Sequence, residues 1–236
     1  MYRRWLLLFF ILEFGCASTL KYADQVPEEN LLENVHTIAL APMFVPSDYS
    51  VPELNRQKFQ ALIEQRLTEA GFKIIPSNEY SQLWKKYEKQ IGPFFDPMTG
   101  KRDETKVEAV RQKSLQEMKK NFGIDVILYN ILQVVPVEYN QAEARWDGAK
   151  QYIGAKEGFW GQLNNLSTFG SVHAFSLVIQ VKDLGGNDLY VGRGGVQPLS
   201  KISGSSFVDM SPEELLADEK KNIQAINLAL DPLLQK

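Results

Sequence analysis

Apolar residues recur along this chain in three rhythms, and each predicts a different kind of element. The first is an unbroken run, Trp5 to Leu12, preceded by Arg3 and Arg4 and followed by the small residue Gly15. It is far below the roughly 20 residues that a membrane-crossing helix needs. A basic start, a short apolar run and a small residue are the order of a secretory leader, so residues 1–15 are expected to be a signal peptide. The second rhythm is helical. Phe59, Leu62, Ile63, Leu67 and Ala70 recur three and four apart behind a Ser50–Glu53 capping box and before Gly71. Tyr80, Leu83, Trp84 and Tyr87 share a face behind Ser77 and end near Gly92 and Pro93, while Val107, Val110, Met118 and Phe122 follow Asp103 and stop at Gly123. Ser211, Pro212 and Glu214 predict the start of a closing helix, with Met210 stapled onto Leu215 and with Leu216, Ile223, Ile226 and Leu230 facing the core.

The third rhythm is that of strands. Thr37 to Met43, closed by Pro42 and Pro46, reads as a buried first strand and Phe72 to Ile75 as a second, which with the helix between them predicts a parallel unit. Asp125 to Val137 is a long strand that turns near Asn140 into Ala142, Ala144 and Trp146, alternating with Glu143 and Arg145. Residues 148–170 hold five glycines without clear periodicity and predict a loop. Phe175, Leu177, Ile179 and Val181 then alternate with Ser176, Gln180 and Lys182, and Leu184 to Asn187 turns this strand back into Leu189 to Val196. The expected fold is α/β (α+β): a mixed sheet of about six strands with about four helices packed on it. It forms a single domain over residues 35–236, behind a polar tether at 16–34 carrying Pro27.

Composition narrows the picture. Loss of residues 1–15 would leave 221 of 236 residues, enough for one large core, and of the 13 Phe, 9 Tyr and 4 Trp in the chain all but Tyr2, Trp5, Phe9, Phe10 and Phe14 remain to supply its bulk. The net charge of −3 becomes −4 once Arg3, Arg4 and Glu13 leave with the leader, which argues against a nucleic-acid partner. Cys16 is the one cysteine in the chain, so the domain forms no internal disulfide and its position points to a local purpose.

The short apolar run ending in Gly15-Cys16 resembles the lipobox of bacterial envelope lipoproteins, with Glu13 standing where that family places Leu. The resemblance implies cleavage before Cys16 and lipid attachment there. Several palmitate-type acyl chains would give the firm membrane anchoring that one chain cannot. Ala17, in place of Asp, implies an outer-membrane location facing the periplasm. The order of elements behind the cysteine also looks like the periplasmic α/β domains of the penicillin-binding-protein activator, of the curli secretion lipoprotein, and of the Tol-Pal translocation protein at its N-terminus. That likeness is of topology and brings no site with it.

Chemistry is sparse. His36 and His173 are the only histidines, and with Cys16 consumed no His/Cys metal cluster or Cys-His pair is available in the mature chain; neither metal nor cofactor is expected. No Gly-x-Ser-x-Gly elbow nominates a serine. Gly192-Arg193-Gly194-Gly195 ends a strand without a helix behind it, so a kink or bulge in an edge strand fits it better than a phosphate cradle. Asp96, Asp103 and Glu104 lack EF-hand spacing and read as a turn with a helix cap. Trp146, Asp147, Tyr152, Phe159 and Trp160 concentrate aromatics at a hairpin end and glycine-rich loop. Two roles fit them: a satellite core over the sheet edge, or a patch that binds a partner. The expected function is a non-enzymatic binding or assembly module for an envelope protein or peptidoglycan. A periplasmic hydrolase is the alternative, needing His36 or His173 in a deep pocket, and a self-assembling subunit with an open edge strand is another.

Overall fold

In the computed structural model, residues 34–154, 169–203 and 206–234 are described. The chain begins with β1 (Thr37–Leu40), α1 (Glu53–Glu69) and β2 (Lys73–Ile75), continues through α2 (Ser77–Ile91) and α3 (Glu104–Phe122), and then enters the long strand β3 (Val126–Asn140). A tight hairpin, β4 (Glu143–Trp146) and β5 (Ala149–Tyr152), precedes two further long strands, β6 (Phe169–Asp183) and β7 (Asp188–Pro198). A small ribbon, β8 (Ser200–Ser203) with β9 (Ser206–Asp209), leads to α4 (Glu219–Leu234). The fold is thus mixed α/β: β1 lies parallel to both β2 and β3, the remaining pairs are antiparallel, and the seven-stranded sheet is accompanied by the separate β8–β9 pair.

Each long strand is two-faced because successive side chains point to opposite sides. At the β1 end of the β3–β6 ribbon, Val126, Leu128, Leu132, Leu177, Ile179 and Val181 face α1 and α4 in the main core, joined by Phe59, Ile63, Ile226 and Leu230. The opposite face there carries Ile127 and packs on α2 and α3 through Tyr80, Leu115 and Met118. At the far end a second core forms from Val137, Tyr139, Ala144, Trp146, Val172 and Ile202.

The helix interiors follow the sequence pattern; several helix starts do not. Ser50 does not cap α1. Pro52 occupies the N-cap instead, its carbonyl accepting from the amides of Asn55 (3.0 Å) and Arg56 (3.1 Å), because a ring that fixes φ near −56° already sets the entry. Likewise Pro76 holds the N-cap of α2, and Ser77 is its first helical residue. Asp103 caps α3 as expected, accepting from Lys106 N at 3.1 Å, and Gly123 ends it in the left-handed region. The segment 148–170 is not all loop, since β5 forms within it and β6 starts at Phe169. The Ser211–Glu214 signal yields only a 3₁₀ turn, Pro212–Glu214, and α4 starts at Glu219. The interruption has a visible cause. Gln197 Oε1 accepts from Leu216 N (3.0 Å) and Asn222 Nδ2 donates to Leu216 O (2.9 Å), which pins Leu216 at φ 59° and buries it ahead of the helix. Ile223, expected in the core, is 40% exposed on the outer side of α4.

Candidate functional site

The site is built by register. β3 and β6 pair without a break over fifteen residues, from Val126↔Asp183 to Asn140↔Phe169. Residues opposite one another across such a pair point to the same face. The side of β3 that carries Val126, Leu128 and Leu132 in the main core therefore continues as Pro136, Glu138 and Asn140, opposite His173, Ser171 and Phe169. These far-end residues are exposed or nearly so, whereas the reverse face, Val137, Tyr139, Val172 and Ala174, is shut under the second core. One end of the ribbon thus keeps a closed side and an open one.

The β4–β5 hairpin extends the open side. Asn140 pairs with Glu143, and Glu143 with Tyr152, so Phe169, Asn140, Glu143 and Tyr152 form one row across four strands. Three interstrand steps of ~4.8 Å separate its ends by about 14 Å. One step along lie the pairs Glu138↔Ser171 and Arg145↔Lys150. A recess of about 470 Å³ opens here, lined by Glu138, Asn140, Gln141, Glu143, Arg145 and Tyr152, with Tyr139 behind them.

Aromatic and polar groups divide this row sharply. Phe169 is 82% exposed at one end and the half-buried Tyr152 stands at the other. Between them, the Glu143 carboxylate takes ion pairs from Arg145 (2.7 Å) and Lys150 (2.7 Å), which hold it below the usual carboxylate range, Lys150 foremost. With Glu138 added, the cations of the face are matched by carboxylates. Tyr139 lies across Gly170, next to Phe169: a Cβ there would meet the Tyr139 hydroxyl at 2.7 Å, so a larger residue would shift that ring. Tyr139 packs edge-on against Phe207 at 6.0 Å between ring centroids.

The residues nominated from sequence are divided by the structure. Tyr152 stands in the row. Trp146 does not: it is 9% exposed, part of the second core, and its indole N–H donates to Phe175 O at 3.1 Å, so as a contact residue it is corrected to a core residue. Asp147 is committed to the turn, its carboxylate accepting from the Ser176 hydroxyl and its carbonyl from Gly195 N at 3.0 Å. Cys16, Phe159 and Trp160 lie outside the described residues. Phe169, Asn140 and Glu143 went unread. The signal for Phe169 was available in the alternation of Phe169, Ser171 and His173 with Gly170, Val172 and Ala174.

His36 and His173 sit far apart, separated along β3 by about 35 Å at ~3.3 Å per residue. His36 is exposed where Asp125 clamps the entry to β1, its carboxylate accepting from His36 N (2.8 Å) and Thr37 N (2.9 Å). His173 is exposed opposite Pro136. Gly192 and Gly194 face α4, and the register shifts where β7 passes Gly195, in keeping with a kinked edge strand. Asp96 accepts from Met98 N (2.9 Å) and Thr99 N (2.8 Å), closing a turn, and those donors hold its carboxyl below the ordinary range. Among the described residues no three His, Cys, Asp or Glu side chains are placed to hold a metal, and no helix is long and apolar enough to cross a membrane.

Fold and site together define a mixed α/β domain with an open, aromatic-flanked sheet face. No protein-family model matches the chain, and no curated protein matches it. Among solved structures, the crystal structure of lipoprotein GNA1162 from Neisseria meningitidis corresponds over 77% of this chain and 90% of its own, at 16% identity and a TM-score of 0.33.

Proposed function

We propose that this chain is an envelope lipoprotein, held by acyl chains on Cys16, whose α/β domain is a non-enzymatic binding module that seats its ligand on the open face of β6, β3, β4 and β5. The observation that carries the binding role is the row Phe169, Asn140, Glu143 and Tyr152 on a sheet whose reverse side is fully packed. An aromatic left in water at a sheet end, beside hydrogen-bonding groups in register, is a contact surface in waiting. The envelope role rests on the leader-like run Trp5 to Leu12 and on Cys16 behind it, and Ala17 favours the outer membrane facing the periplasm.

Both parts are testable in the full chain. Radiolabelled palmitate should tag the wild type and not Cys16→Ala, and the variant should move from the membrane fraction to the soluble one; equal labelling overturns the anchor. A photo-crosslinking amino acid at Asn140 should form a discrete envelope adduct. The same group at Leu54, exposed on α1, should not. Indistinguishable patterns at the two positions overturn the binding face.

A further inference from the structure

Resting on that reading of the face, we infer that its ligand is a polysaccharide strand whose rings carry little or no net charge, lying along the row from Phe169 to Tyr152. Three observations converge on this chemistry. A pyranose ring offers a face of C–H bonds and a rim of hydroxyls, so it is recognised by aromatic rings against the face and by planar polar groups against the rim. The row supplies both: aromatics at its ends, and in its middle the Asn140 amide, which donates and accepts, and the Glu143 carboxylate, which accepts. Gln141 and the Ser171 hydroxyl add further partners beside it.

Charge excludes the commonest competitor. Arg145 and Lys150 are exposed, yet both are already paired with Glu143, and Glu138 adds a carboxylate nearby. No surplus of cations remains there to hold phosphates or a polyanion.

Shape excludes two others. A small molecule held alone is ordinarily buried over most of its surface, whereas this recess opens on a sheet face beside a row about 14 Å long that runs on past it to Phe169. A protein interface is depleted of charge at its centre, and here the centre is the Glu143 cluster, with the apolar groups at the rim. A chain that enters at one edge and leaves at the other fits an open strip with aromatic ends.

The test uses the full chain and chitohexaose, an uncharged N-acetylglucosamine oligomer, followed by titration calorimetry. Saturable binding is expected, weakened roughly tenfold by Phe169→Ala and by Tyr152→Ala. Phe169→Tyr and Tyr152→Phe keep a ring in place and should bind as the wild type does. They also separate lost stacking from lost folding, because Tyr152 packs partly on the second core. Absence of binding overturns the inference, as does affinity indifferent to both alanine variants. If chitohexaose does not bind while the Asn140 crosslinker still forms a discrete protein adduct, the glycan assignment fails and the binding face stands. If both fail, the face itself is wrong.

Discussion

Gly194 shows how one missing side chain positions an element. α4 crosses β7 so closely that a Cβ on Gly194 would lie 2.0 Å from the Ala225 carbonyl oxygen, and one on Gly192 would lie 2.1 Å from that of Ala229. Both clashes are with helix backbone, which cannot rotate away as a flexible side chain would. The same approach lets the Tyr190 hydroxyl donate to Ala229 O at 2.6 Å, buried beneath the helix. Gly194→Ala must therefore push α4 off the sheet and loosen Ala225, Ile226 and Ala229 in the main core. A cost of about 3 kcal/mol is expected, at the upper end for overpacking, measured as a lowered urea midpoint at unchanged slope. An unaltered midpoint would mean that α4 slides without cost. From sequence the glycine run reads as a kink in an edge strand; the helix that makes it necessary lies about 30 residues onward and is invisible to local pattern.

At the scale of elements, the two turns of the β3–β4–β5 unit contrast usefully. Asp147 and Gly148 have φ of 41° and 75°, and Gln141 and Ala142 have 52° and 58°. Both turns thus place two consecutive residues in the left-handed region, as tight hairpins of this twist require. Asp-Gly announces such a turn, whereas Gln-Ala does not. Ala142 accepts the strain because it is fully buried in the second core and its carbonyl accepts from Ile153 N at 2.8 Å. Gln141 has no such compensation, so Gln141→Asn should raise stability by roughly 0.5 kcal/mol, since Asn tolerates this conformation better. A fall in the thermal midpoint would refute that. The same contrast explains what was legible. Helix interiors and the long strands followed from periodicity, while β5 escaped because Ala149 and Gln151 are its inward residues. Gln151 faces the interior to donate to Val196 O at 2.6 Å, a tertiary reason that no alternation of apolar and polar residues conveys.

Over the whole molecule, register decides which surface is left open. The sequence ends the long strand at Val137 and turns it near Asn140, and the juxtaposition of Glu138 and Asn140 with Phe169 and Tyr152 depends on pairings between distant segments. That is why Tyr152 was identified and its row was not. Continuous pairing has an energetic consequence too. Bonds from the β4–β5 unit reach strands that line the main core: Trp146 to Phe175 O, Gly195 N to Asp147 O, and Gln151 to Val196 O. Phe175 and Val196 are themselves main-core residues. Opening the far end would strand those buried groups at about 1–3 kcal/mol each and uncover the Trp146 ring, so it is costly to melt alone. The two cores should therefore unfold together. In a chain labelled with fluorotryptophan, fluorine NMR can follow Trp84, in the α2–α3 layer, and Trp146, in the second core, within one sample. Coincident urea midpoints are expected for the two resonances. An earlier transition at Trp146 would show that the far end of the sheet melts as a unit of its own, and that its outward row is ordered less firmly than the sheet that carries it.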